Sequence, residues 1–309
     1  MFEDSIPPVA PVEGADRPLW SVMIPVHNCA DLLRHSLGGV VEQLGGRDDV
    51  QIQVIDDNSS DDPEEVVQGL GSAAVSYIRL PEPVGAIGNF NECLHRSRGA
   101  YVHVLHGDDG VLPGFYSAME AALRDEAIGA ACCRTEYVND IGRAGHTSRS
   151  ERAGSGPWHD AAAVLAISNR IRAASMVVRR SIYERIGGFR QDLPHAADWE
   201  MWMRIAAATN VWFEDRRLAQ YRRHDANDTS RLVRTGDNIR ERVVAIEMVV
   251  EHLPTDARAA ARRKALLYSA AFAGRTALNC ARRRQFRPAS RQLAQSVLCA
   301  VRAGTPVFP

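Results

Sequence analysis

Four short stretches hold residues able to do polar chemistry. The strand-like run Ala100–His106 leads into Gly107, Asp108, Asp109 and Gly110; Val50–Ile55 ends in Asp56, Asp57 and Asn58; Asp198 opens DWEMWMR; and His224 closes YRRH. Adjacent carboxylates at a strand end suit a hard divalent cation, Mg2+ or Mn2+, which binds through one or two protein carboxylates together with phosphate oxygens of a substrate. His224 offers an imidazole that Mn2+ could take. Asp57, with Asp56 beside it, can accept from a ribose hydroxyl or a base N–H. Asp198 suits a general base that takes the proton of an attacking hydroxyl. Glu200 competes for that role but faces elsewhere on the helix. Each stretch also has an ordinary structural use. Asp-Asp-Gly makes turns, Asp is favoured in a first helical turn, and SSDDPEE is a good helix start with Ser59 or Ser60 as its cap. After the first apolar run comes PVHNCAD, so the G-x-G-x-x-G fingerprint of dinucleotide sites is missing, as is a G-x-x-x-x-G-K-[ST] phosphate loop.

Strand ends need strands to end. WSVMIPV, VQIQVIDD, AVSYIRLP and AYVHVLH are short apolar runs, and CADLLRHSLGGVVEQL and IGNFNECLHRSRG between them carry helical spacing. That alternation predicts a parallel sheet in an α/β fold, with ligands beyond the carboxyl ends of the strands, where the acidic clusters lie. Further on, PGFYSAMEAALRD reads as a helix, IGAACCRTEYV as a strand, and GRAGHTSRSERAGSGPWHD as a long polar loop of the kind that carries binding. IRAASMVVRRSIYERIGGF reads as a strand running into a short helix, DWEMWMRIAAAT as an amphipathic helix, and the chain from about Asn238 as helical.

In this order, SVMIPVHN, VIDDNSSDD, VGAIGNFNECLHRSRGAYVHVLHGDD, RRSIYERIGGFRQDLPHAADWEMWMRIA and YRRH resemble glycosyltransferase family 2, nucleotide-sugar-dependent enzymes of the GT-A fold. The resemblance runs from about Pro18 to His224. It implies a Rossmann-like, mostly parallel central sheet flanked by helices, with a C-terminal helical extension. The implied layout is a leader over 1–17, a catalytic domain over 18–230 (nucleotide half about 18–110, acceptor half about 111–230) and a basic helical region over 231–309. Pro25, His27 and Asn28 match one wall of the nucleotide pocket, His27 standing where the family has Tyr. Asp57 matches the aspartate that reads a uracil or thymine ring, and Asp56, Gly85 and Asn89 fall with the nucleotide-binding residues. HGDD matches the family's D-x-D-D, which makes Asp109 the main metal ligand and Asp108 a contact to sugar or ribose; His106 departs from the pattern. Asp198 matches the base of inverting transfer, Ala197 replacing the Glu before it. His224 matches a histidine that reaches the diphosphate or its metal, and Trp199 and Glu200 fall at the acceptor site. The implied cofactor is Mn2+ or Mg2+. The implied partners are a UDP- or dTDP-sugar donor and a glycan, lipid or natural-product acceptor. The departures at His106 and Ala197 keep open a non-catalytic nucleotide-sugar-binding relative that acts as a partner or scaffold.

Composition sets the outer limits. With 45% hydrophobic residues over 309 positions the chain can bury a large core, and a net charge of −1 argues against nucleic acid as a partner. The charge is uneven: no Asp or Glu follows Asp256, while arginines accumulate. Such a tail is a solvated face packed on the catalytic domain, or it holds the protein peripherally at a membrane or against a second copy. Six cysteines without C-x-x-C spacing read as reduced and buried, which suits the cytoplasm. The first residues have neither the basic start nor the apolar run of a targeting signal and read as a flexible leader. No apolar run is long enough to span a bilayer.

Overall fold

The computed structural model describes residues 5–14, 17–223 and 228–304. In chain order, β1 (Trp20–Val26), α1 (Ala30–Leu44), β2 (Val50–Asp56), α2 (Pro63–Gly69), β3 (Val75–Arg79), α3 (Gly85–Arg96) and β4 (Tyr101–Val104) alternate as the hydrophobic pattern predicts. The short β5 (Gly110–Val111), α4 (Phe115–Leu123), β6 (Ile128–Val138), β7 (Ala144–Thr147) and β8 (Gly156–Pro157) follow. Then come α5 (Ala161–Leu165), β9 (Met176–Arg179), α6 (Arg180–Ile186), α7 (Ala197–Ala208) and β10 (Asn210–Arg222). Four helices complete the described chain: α8 (Asp228–Thr235), α9 (Asp237–Val249), α10 (Thr255–Arg282) and α11 (Phe286–Gly304).

The chain forms two compact units. The first takes residues up to His159, Ile171–Asp192 and Ala208–Arg223; the second takes Asp160–Arg170, Leu193–Ala207 and the chain from His224. The second unit therefore gathers α5 and α7 with the terminal helices, where a reading in chain order divides the protein once, near residue 230.

All ten strands described belong to the first unit, in one sheet ordered β3-β2-β1-β4-β9-β6-β10-β5, with β7 on β6 and β8 on β10. β1 lies between β2 and β4, parallel to both, and every residue of it is buried, as expected of a run apolar on both faces. From β9 onward the sheet is mixed: β9 is antiparallel to β4 and β6, whereas β10 is parallel to β6. Helix α1 buries Leu33, Leu37, Val40 and Leu44, a helical repeat, in the core that also takes Trp20, Val22 and Ile24. The long strand β10 had no clear sequence signature, because charged Glu214, Asp215, Arg216 and Arg217 interrupt its apolar run.

The leader is packed where the structure describes it from Ser5 to Ala10, contrary to the flexible tail expected. Gly188 N–H donates to the Pro7 carbonyl at 2.8 Å, Arg180 Nη2 to the Ala10 carbonyl at 2.8 Å, and Val9 is 3% exposed. Prolines fix the segment in an extended path, so laying it on the domain loses little chain entropy. The helix start at SSDDPEE also differs. Neither Ser59 nor Ser60 caps α2; Ser59 bonds to Asp56 at the end of β2 and Ser60 to Asn28 after β1, and Pro63 begins the helix instead.

Candidate active site

The HGDDG stretch is the turn between β4 and β5. Past the end of β4, Leu105 N–H donates to the Met23 carbonyl at 3.0 Å and Gly107 N–H to the Pro25 carbonyl at 3.1 Å; Asp109 N–H then turns back onto the His106 carbonyl at 3.0 Å. A Cβ at Gly107 would lie 2.6 Å from Val26 Cγ1 and 3.0 Å from Cys29 Sγ, so only glycine lets the turn sit this close to β1. From α1, the buried Ser36 hydroxyl meets the carbonyls of Gly107, at 2.9 Å, and Asp109.

Three side chains converge on this turn. His106, Asp108 and Asp109 each present a ligand atom, all within 4.8 Å of one another. Asp109 is 2% exposed; its Oδ1 accepts the Arg222 backbone N–H at 2.9 Å, while its buried Oδ2 has no hydrogen-bond partner among the described residues and lies 3.9 Å from His106 Nδ1. Burial, with the Asp108 carboxylate close by, pushes the Asp109 carboxyl well above the usual carboxylate range. A buried carboxylate oxygen lacking a donor, next to a second acid and an imidazole, is a donor set that fits a divalent cation. The sequence comparison treats His106 as a departure from the acidic pattern, whereas the structure places it in this set. Phe90 of α3 stacks on its ring at 4.7 Å between centroids and 18° between planes.

Sequence reasoning took YRRH for its histidine. His224 lies outside the described residues; the group that meets the turn is Arg222, 5% exposed. Besides its backbone bond to Asp109, its Nε donates to the Asp108 carbonyl at 3.1 Å, and its Nη1 donates to the carbonyls of Asn139 and Asp140 at 3.1 and 3.0 Å. It therefore ties the acidic turn to the β6–β7 hairpin. No local pattern separates Arg222 from Arg223, so only the pairing of β10 reveals it.

The same hairpin and β10 carry a second group absent from the sequence reading. Tyr137 and His146 stack at 4.2 Å and 11°, the Arg172 guanidinium lies 5.7 Å over the Tyr137 ring and 5.4 Å over that of Tyr221, and Arg172 Nε donates to the Tyr137 hydroxyl at 3.1 Å. Tyr137, Asn139, Arg143, His146 and Arg223 line a cavity here. Burial, then the charges of Arg223 and Arg172, hold His146 below the ordinary imidazole pKa. The stretch expected as one polar loop thus includes strand β7, which places His146 on Tyr137.

The residues expected at the nucleotide divide into two groups. His27 is exposed, its ring held by Nδ1 against the Asp57 carbonyl at 2.9 Å and by Nε2 to Asn28 Nδ2 at 3.0 Å. Asn28, at φ 51°, accepts from Ser60 N–H at 2.9 Å. Asp57 accepts the N–H groups of Val84 and Gly85 at 2.6 and 2.9 Å, fixing the start of α3, where Gly85 has φ 77°. Asp57 is itself 3% exposed; Asp56, Asn89 and Pro25 are interior as well and accept no bond from those two N–H groups. Asp56 is 0% exposed and bound by Ser59, by Tyr77 at 2.6 Å and by Arg79 at 3.3 Å. Asn89, 2% exposed, donates to the Ile55 carbonyl at 3.0 Å. Pro25 is a buried β1 residue whose carbonyl serves the Gly107 turn. These three hold the frame of the pocket and leave no surface for a ligand.

In the second unit Asp198 stands in the first turn of α7, half-buried, with Oδ2 accepting from Asn169 Nδ2 at 2.8 Å and Oδ1 from Trp199 N–H at 2.6 Å. Trp199 and Glu200, expected at an acceptor site, are each 1% exposed. Trp199 Nε1 donates to the Leu165 carbonyl at 2.6 Å beneath the Arg242 guanidinium, and Glu200 pairs with Arg204 at 2.7 Å and with His252 at 3.8 Å. Both belong to the core of that unit, and the acceptor role expected of them is withdrawn.

The family model for Glycosyl transferase family 2 matches residues 21–187, more than half of the chain. A relative from Mycobacterium tuberculosis, the uncharacterized protein MT1568, is 30% identical over 258 residues, 79% of this chain and 80% of its own. Among solved structures, Staphylococcus aureus TarS 1–349 in complex with UDP-GlcNAc superimposes with a TM-score of 0.57 at 13% identity, over 90% of this chain and 91% of that one. The mannosyltransferase PcManGT from Pyrobaculum calidifontis, in complex with GDP-Man and Mn2+, does so with 0.57 at 18% identity, over 96% and 90%. Fold, motif order and family match agree: the chain belongs to glycosyl transferase family 2 and is a glycosyltransferase built on the GT-A fold.

Proposed function

We propose that this glycosyltransferase moves a sugar from a UDP- or dTDP-sugar to an acceptor hydroxyl with inversion, assisted by a divalent cation. The observation that carries the reading is the convergence of His106, Asp108 and Asp109, with Asp109 Oδ2 buried and without a donor among the described residues. These three residues would hold Mn2+ or Mg2+, and the imidazole in the set favours Mn2+ over the all-oxygen preference of Mg2+. When bound, such an ion neutralises the charge that grows on a departing diphosphate. Asp57 and His27 are assigned to the base and ribose side of the donor, and Asp108 to its sugar.

Asp198 is the proposed base. As the acceptor oxygen bonds to the anomeric carbon, its proton passes to the Asp198 carboxylate, and the electron pair of the old glycosidic bond leaves with the nucleoside diphosphate. The hydrogen bond from Asn169 at 2.8 Å supports this role, because it fixes one oxygen, while the other, which accepts the Trp199 N–H, keeps a second lone pair for the proton. The stacked Tyr137 and His146 rings replace Trp199 as the proposed acceptor wall, offering a flat apolar face beside the guanidinium of Arg172.

The test is a thermal-shift panel of UDP-, dTDP- and GDP-sugars with and without Mn2+, followed by Asp198→Asn. A metal-dependent rise with uridine or thymidine nucleotides is expected. The variant should lose transfer by about 10²–10⁴-fold, the range for a general base, while its donor affinity is unchanged. A variant with full activity refutes the base, and no metal-dependent rise with any donor refutes the metal-assisted reading.

A further inference from the structure

Helix α11 is turned inside out. Its buried positions are Gln292, Gln295, Cys299 and Ala303, and Gln292 is held there by bonds to the Val233 carbonyl at 2.8 Å and to Asn238 Oδ1 at 2.7 Å. Its large apolar residues face away: Phe286 is 69% exposed, Leu293 57%, Val297 57% and Val301 62%. Successive members are seven, four and four residues apart, so at about 100° per residue they form one stripe opposite the buried face. Surface helices ordinarily bury that stripe. Nor is the exposure scattered, since seven of the ten large hydrophobic side chains exposed among the described residues lie on α10 and α11. Single exposed apolar residues need no explanation, but a continuous stripe does.

The charge around it narrows the choice of occupant. No Asp or Glu follows Asp256. Arg258 and Arg262 are paired with Glu251 and Glu247 of preceding segments, and Arg291 donates to the Arg234 carbonyl at 3.1 Å, whereas Arg287 borders the stripe, with Arg302 farther round on the same side. A symmetric pairing of two α11 stripes would bring the same arginines together with no acid from this segment to offset them. An anionic bilayer surface supplies the missing negative charge and an apolar layer at the depth the stripe would reach. No helix among the described residues is long and apolar enough to cross a membrane, which leaves an in-plane contact.

We propose that α11 docks in the plane of an anionic membrane surface, with Phe286, Leu293 and Val297 toward the acyl chains and Arg287 at the phosphate level. The full chain is sedimented with vesicles of mixed phosphatidylglycerol and phosphatidylcholine, and with pure phosphatidylcholine, at low and high salt. The expected result is binding to the anionic vesicles alone, weakened by salt. Leu293→Glu/Val297→Glu should weaken it by about tenfold or more, since both substitutions remove inserted apolar area, and Arg287→Gln should weaken it as well. Circular dichroism and thermal unfolding of these variants should match the parent, because the altered side chains point outward. Absence of sedimentation at low salt, or equal sedimentation of the Leu293→Glu/Val297→Glu protein, overturns the proposal. So does a concentration-dependent dimer that the same pair of substitutions abolishes without any vesicle binding, because the stripe would then belong to a second copy.

Discussion

His103 makes the strand that carries the acidic turn sensitive to acid. Its ring is fully buried on β4, with Nδ1 3.1 Å from the Tyr116 hydroxyl and Nε2 3.1 Å from the Ala174 carbonyl. The neutral ring satisfies both partners: Nε2–H donates to the carbonyl and Nδ1 accepts from the hydroxyl. Protonation would turn the acceptor into a donor and place a charge in the core, and burial lowers the pKa from 6.5 to about 3. Between those two values the unfolded chain holds one more proton than the folded one, so stability is fully present above pH 6.5 and falls as the pH drops toward 3. At about 1.36 kcal/mol per pH unit, the loss reaches about 2 kcal/mol at pH 5 and approaches about 5 kcal/mol below pH 3. The perturbation that isolates this effect is His103→Gln. It keeps a neutral donor for Ala174, leaves the Tyr116 hydroxyl without its acceptor, and so costs about 1–3 kcal/mol at pH 7.5. It has no proton to gain, however. Urea unfolding of both proteins should show their stability difference shrinking by about 2 kcal/mol between pH 7.5 and pH 5, because every other titrating group is common to both and cancels. A difference that stays constant over that range refutes the buried neutral imidazole.

Two further predictions concern the acidic turn. Asp109→Asn keeps the acceptor for Arg222 N–H and removes the charge, so the variant should be as stable as the parent without metal. With Mn2+ at about one hundred times its dissociation constant, the parent should gain about 2.7 kcal/mol and the variant almost nothing, read by thermal unfolding across a metal titration. An equal gain in both would remove Asp109 from the donor set. Gly107→Ala forces a methyl to within 2.6 Å of Val26 Cγ1 and should destabilise the protein by about 1–3 kcal/mol while displacing the turn. Its unfolding midpoint and its Mn2+ affinity should fall together; a variant with both unchanged would show that β1 and the turn do not pack as described.

Much of this protein was legible from residue order because the relevant physics is local. Apolar residues at helical spacing place α1, whose Leu33 and Leu37 are buried, and apolar runs place β1, β2 and β4. A strand end beside an acidic pair is enough to locate Asp108 and Asp109, and five motifs in order are enough to point to the family, which the comparison then established.

What stayed hidden depends on pairings between distant segments. Asp56 and Asp57 are neighbours with identical side chains, yet Asp56 is enclosed by Tyr77 and Arg79 of β3, while Asp57 holds the start of α3. His106 joins the donor set because the turn folds its ring back toward Asp109, and Arg222 meets that turn because β10 runs beside β5 and β6, more than eighty residues from either along the chain. Trp199 and Glu200 share a short helix with Asp198, but burial separates their roles, since a face that packs on Leu165 and Arg204 has no surface left for a ligand. Hydrophobic pattern reports that a residue prefers to be covered. Which neighbour covers it, and whether α11 turns its apolar stripe inward or outward, follows from the whole balance of contacts in the folded chain.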